Sequence, residues 1–130
     1  MPSQLQISRA LAFERQHGLC CYCDLPMWLF DRHGPAGPGL MQCTAEHLRA
    51  RSAGGGDEPA NIAAAHAHCN RLRHRRKKPP GPARFRLEVR RRVQAGRWLP
   101  RPALAWAARR RRRHQPQIKP CRERDSATRP

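Results

Sequence analysis

Two short half-sites constrain this chain more than any other feature. Cys20-x-x-Cys23 and His66-x-x-Cys69 lie about forty residues apart. Two-residue spacing lets both side chains of a pair point at one ion, and two converging pairs make a closed, tetrahedral Cys3His site of structural type. Thiolate and imidazole donors favour zinc over magnesium or calcium. Cys21 and His68 sit inside the two pairs, and Cys43 and Cys121 are further thiols. Cys20 is preferred to Cys21 because Cys-x-Cys geometry is rarer. Cys21 and Cys43 read more simply as small buried hydrophobes.

The rest of the composition makes such a staple necessary. A chain of 130 residues with thirteen prolines, nine glycines and 5% aromatic residues has room for one small core. Six cysteines and seven histidines point to metal rather than disulfides. Residues 1–10 lack the apolar segment of a secretory signal, and no apolar run reaches transmembrane length, so no membrane partner and a cytoplasmic setting with reduced thiols are expected.

The net charge of +18 is unevenly placed. Residues 1–70 carry five basic and six acidic side chains, residues 71–100 twelve and one, and residues 101–130 ten and two. Basic charge begins where the half-sites end, which fits a polyanionic partner bound through counterion release.

Local patterning places these residues on elements. A helix is expected over Ser8–His17, stopping at Gly18 just before the first half-site. Leu25–Phe30 and Leu40–Leu48 read as strands, with Gly/Pro-rich and Gly-rich loops after them. Three alanines in Asn61–Ala65 favour helix by propensity. Residues 67–78 should be helical up to Pro79-Pro80. Residues 82–96 form a second helix with Phe85, Val89 and Val93 on one face, ended by Gly96, and Trp98 and Leu99 fold back onto the core. One domain over residues 1–99, its motif core about 18–78, is followed by a basic tail, 100–130. That tail shows no firmly packing face, at most a transient helix over 103–113, and is expected to be disordered.

Between the half-sites stands Glu46-His47-Leu48-Arg49-Ala50-Arg51-Ser52-Ala53-Gly54-Gly55-Gly56, then Asn61-Ile62, and the second half-site closes with Cys69-Asn70. This order resembles the HNH endonuclease family, whose pattern reads Asp-His-x-x-Pro-x-Ser-x-Gly-Gly, then Asn-Leu, then Cys-x-x-Cys-(His or Asn). Glu46 stands for the aspartate, Ala50 for the proline and His66 for a cysteine, while His47, Ser52, Gly54, Gly55, Asn61, Cys69 and Asn70 match. The resemblance covers roughly residues 9–78. It implies an α+β fold, a small ββα-metal domain with a structural zinc knuckle and flanking helices, in which residues 61–65 are the second strand.

The resemblance also implies roles. His47 is the general base that activates water, a task a neutral imidazole can perform. Glu46 and Asn70 are the ligands of a catalytic Mg2+ or other divalent ion, which polarises the phosphate. Asn61 is expected to orient His47 through a side-chain to backbone bond. Apart from the resemblance, His74, four residues after Asn70 on the same helical face, reads first as an exposed helix residue, with a further ligand or a phosphate contact as the alternative. Arg49 and Arg51 would grip the scissile strand. Arg71, Arg73, Arg75, Arg76 and Lys77, extended by Lys78, Arg84, Arg90, Arg91, Arg92 and Arg97, would track phosphates with little sequence information. The expected partner is DNA in preference to RNA. A non-catalytic zinc-knuckle nucleic-acid-binding protein is the rival reading, and a pure binder has no need of Glu46, His47 and Asn61 together.

Overall fold

A computed structural model describes residues 1–29 and 34–114. The first helix, α1 (Gln4–Arg15), starts earlier than its apolar residues suggest, because Ser3 and Gln6 form a capping box. Gln6 donates its backbone N–H to Ser3 Oγ and Ser3 its own to Gln6 Oε1. The helix ends at Arg15, and the chain turns away through His17 and Gly18, at φ +55° and +74°. The next segment carries the first half-site and is not a regular strand: residues 19–29 make only the isolated bridges Leu19–Pro26 and Trp28–Gln42.

Strands β1 (Cys43–His47) and β2 (Ile62–His66) pair antiparallel, with Cys43 opposite His66 and His47 opposite Ile62. The alanines of β2 are therefore extended, as the resemblance implies and against propensity. All five β2 residues are buried. Small side chains let α1 approach closely enough for Gln16 to bond the backbone N–H and C=O of Ala64, both at 2.9 Å. This pairing and the bond from Cys21 N–H to Ala64 O close an otherwise open sheet edge.

Helix α2 (Ala67–His74) leaves β2 without a gap and completes a ββα unit. It ends four residues before the expected stop, where the chain turns so that Pro80 O accepts from Arg73 Nε at 2.8 Å. Helix α3 (Pro82–Gln94) buries Phe85 and Val89. Arg86 donates to Cys21 O, and Arg86 and Arg90 both pair with Asp24, so this helix is docked on the knuckle. Phe85 packs edge-on against Tyr22 and Trp98.

The expected tail begins with a packed helix. In α4 (Arg101–His114) Ala103 and Ala107 belong to the core, and Trp106 donates to Ala36 O across Gly37. Two alanines four apart make a stripe too narrow to register as an apolar face, yet small enough for close contact. The remainder of the tail, including Cys121, lies outside the described residues. Among the described residues the fold is thus α+β, four α-helices around a two-stranded sheet with a single core. No described helix is long and apolar enough to cross a membrane.

Candidate metal centre and nuclease site

The two half-sites meet. Cys20, Cys23, His66 and Cys69 are all buried, and their donor atoms lie within 4.8 Å of one another. Cys23 Sγ and Cys69 Sγ are 3.8 Å apart, close to the edge of a tetrahedron with metal–sulfur bonds of about 2.3 Å. His66 turns Nδ1 toward the thiols, 3.1 Å from Cys23 Sγ, while its Nε2 donates to Pro26 O at 2.7 Å. That bond fixes the tautomer in which Nδ1 offers a lone pair. Backbone N–H groups of Tyr22 and His66 reach Cys20 Sγ, and the Trp98 indole N–H reaches Cys69 Sγ at 3.2 Å. Burial opposes ionisation of Cys20, but contacts with Cys21, Cys23, Cys69 and His66 outweigh it and hold its thiol well below the ordinary range. The group fits a four-coordinate, closed metal site.

The neighbouring candidates take other roles. Cys43 is buried among apolar residues, and burial pushes its thiol up to about 12. His68 packs edge-on against Trp98 and bonds Trp98 O at 2.8 Å. Cys21 lies outside the cluster of ligand atoms.

Adjacent residues on β1 point to opposite sides, and Glu46 and His47 follow that rule. Glu46 is fully buried. Its Oε2 accepts from the Tyr22 hydroxyl at 3.0 Å, and its Oε1 lies 2.9 Å from His74 Nε2 and 3.2 Å from Arg73 Nη1. Burial and the Glu46 charge push the Tyr22 phenol up, so it donates as a neutral group. His74 is 40% exposed, so the buried carboxylate reaches solvent through this imidazole. Asn70 was expected to share an ion with Glu46. Its amide nitrogen donates to Thr44 Oγ1 and Ala45 O, and the exposed side chain bonded to Glu46 is that of His74. Arg73, expected on a phosphate-tracking surface, is buried in an ion pair with Glu46.

His47 points toward the Gly-rich loop. Its Nε2 lies 2.8 Å from Asp57 Oδ1. Arg51 is 3.2 Å from the same nitrogen and 3.3 Å from the same oxygen. The His47 contact, with Arg51 adding to it, holds the Asp57 carboxyl below its usual range. An ionised carboxylate only accepts, and Arg51 faces both groups: its Nη2 donates to Asp57 Oδ1 and its Nε points at His47 Nε2. Asn61 does not reach His47. It accepts from Arg49 N–H at 2.9 Å and donates to Arg49 O and Gly56 O, clasping the loop at its mouth. Gly55 is obligatory there, since a Cβ would stand 1.9 Å from Arg49 O.

Arg49, Arg71, Arg75 and Lys77 are exposed. Arg76 is exposed but bonded to Glu88 at 2.7 Å, and Arg90 is engaged by Asp24. Asp57 and Tyr22 are the site residues that motif reading missed. The Asp57 position follows a glycine triplet, where a loop carboxylate carries no periodic signal.

Comparison with known proteins supports the motif reading. Residues 20–76 match the HNH endonuclease family. The matched segment spans both half-sites, both strands and α2. No curated protein and no solved structure matches the chain. The family match supports a nuclease-related function with a nucleic-acid substrate.

Proposed function

We propose that this protein is a metal-dependent HNH-type endonuclease that hydrolyses phosphodiester bonds in DNA. The observation that carries the reading is the Glu46–His74 pair. A fully buried carboxylate meets a partly exposed imidazole at 2.9 Å on the ββα unit. Two adjacent ligands on an octahedral ion with bonds of about 2.0–2.1 Å lie about 3 Å apart, so the pair fits a divalent cation. Oxygen with nitrogen donors suits manganese, nickel or zinc at least as well as magnesium. Glu46 and His74 would hold the ion, with Asn70 beside them on α2. When bound, the ion supplies Lewis-acid polarisation of the phosphate and charge neutralisation at the leaving oxygen. The Cys3His group holds a separate structural zinc.

The protein's own residues supply the rest. His47 takes a proton from water as the water oxygen bonds to phosphorus. The bond from phosphorus to the 3′ oxygen breaks, and that oxygen leaves with the bonding pair and takes a proton from solvent. Arg49, Arg71, Arg75 and Lys77 hold the backbone by charge. The rival reading, a zinc-knuckle binder without catalysis, is favoured by one observation: Arg73 neutralises Glu46 and gives that carboxylate a structural role.

The readings separate on Glu46→Gln and His74→Ala, assayed for nicking of supercoiled plasmid with Mg2+, Mn2+ or Ni2+ and for Mn2+ binding by calorimetry. The nuclease reading expects both variants to lose the weaker-bound Mn2+ and nicking together while keeping the structural zinc. Unchanged Mn2+ binding and nicking in both would assign the pair to structure alone.

A further inference from the structure

We infer that Asp57 is a positioning residue for the general base: it fixes neutral His47 as the Nε2–H tautomer and so leaves Nδ1 to receive the proton. This inference rests on the nuclease reading and names the base atom, which that reading leaves open.

The first argument is donor logic. Asp57 Oδ1 lies 2.8 Å from His47 Nε2, and a carboxylate cannot donate. A neutral imidazole has one N–H. Once Nε2 holds it, Nδ1 carries the lone pair. Arg51 Nη2 donates to the same oxygen at 3.3 Å and keeps it a carboxylate, while its Nε, at 3.2 Å from Nε2, is farther from that nitrogen than Asp57 Oδ1 is.

The second argument is the fixing of the loop that presents Asp57. Ser8, fully buried on α1, donates its hydroxyl to Asp57 O at 2.6 Å and accepts from Gln4 Nε2 at 3.1 Å. Asn61 bonds the preceding carbonyl, Gly56 O, at 2.8 Å. Asp57 is therefore anchored through its own backbone from α1 and through its neighbour from Asn61, just before β2. A plug that must swing away to admit a phosphate would gain nothing from two anchors. A group that must hold a ring at a set angle needs them. Asn61 then acts on the base indirectly, by closing the loop that carries Asp57.

Two measurements test this. Nitrogen NMR of the histidine-labelled full chain, at a pH where the ring is neutral, should show His47 as the Nε2–H tautomer. Asp57→Ala should give a mixture and Asp57→Glu should restore part of the preference. A wild-type His47 in the Nδ1–H form overturns the inference whether or not the protein cuts DNA. In plasmid nicking, Asp57→Ala should lower kcat by about 10- to 100-fold with KM unchanged, and should have no further effect on the residual rate of His47→Ala. A rise in nicking would make Asp57 a plug, and a further loss in the His47→Ala background would make its role structural; either outcome sinks the proposal. A wild type that shows the Nε2–H tautomer but never nicks would count against the nuclease reading instead, leaving Asp57's hold on the ring intact.

Discussion

At the scale of single residues, Glu46 has to meet two demands. It is a charge with no exposure, paired with a buried arginine and a phenol, and it meets solvent through one imidazole. Removing one member of a buried ion pair strands the other, which typically costs about 3–5 kcal/mol. Arg73→Met should therefore destabilise the fold by about that amount in denaturant melts, far more than Arg75→Met on the exposed surface. Tyr22 offers a second readout, because it is the chain's one tyrosine. Its folded pKa is raised by burial and by the Glu46 charge. Its contribution to stability is present below the unfolded value of about 10 and is lost as pH rises toward the folded value. Tyrosinate absorbance of the native protein should stay flat through pH values where the unfolded chain titrates. A normal titration in the native state would contradict the burial of this phenol against Glu46.

At the scale of elements, legibility followed chemistry more closely than geometry. The half-sites, the Glu46-His47 pair and Asn61 were readable because metal binding fixes residue type and spacing. Strand β2 was not readable from propensity: three alanines favour helix, and only the bonds from Gln16 and Cys21 and close packing by α1 make the extended form preferable. Helix α4 is expected from sequence only as a transient helix over 103–113, and its packing is hidden for a related reason, since the buried Ala103 and Ala107 are small and stand just before a run of arginines. Asn61, expected to orient His47 through a side-chain to backbone bond, does make such bonds, but the backbone it clasps is that of Arg49 and Gly56 rather than of His47. Two predictions belong here. Ser3→Ala should cost about 1 kcal/mol in thermal melts through loss of the capping box. Gly55→Ala should lower nicking at least tenfold with zinc content intact, because the added Cβ meets backbone rather than a movable side chain. Equal activity in that variant would show that the loop's shape is irrelevant to the base.

At the scale of the whole molecule, the Cys3His group ties the N-terminal knuckle to the ββα unit, and Trp98 ties it to the C-terminal helices. A core of this size, with five buried alanines in it, leaves folding dependent on that staple. One tightly held zinc per chain is expected by elemental analysis, and strong chelators should unfold the protein cooperatively. Folded, zinc-free protein would remove the staple from the account. Truncation after residue 100 should lower the melting temperature, because it uncovers the surface packed by Ala103, Trp106 and Ala107. It should also reduce the salt slope of DNA binding, because it removes ten of the 27 basic residues. A change in slope without a change in melting would return α4 to the status of a tail.

The central claim is that His47 is the base of a working nuclease and that the zinc site only holds the frame. It is tested most directly by nicking of supercoiled plasmid with Mn2+, comparing the zinc-loaded wild type with zinc-loaded His47→Ala at equal DNA binding. The account predicts nicking by the wild type and at least a hundredfold loss in His47→Ala, with zinc content and melting unchanged. Equal nicking by the two proteins, or none by the wild type with any divalent ion while both bind DNA, would contradict it.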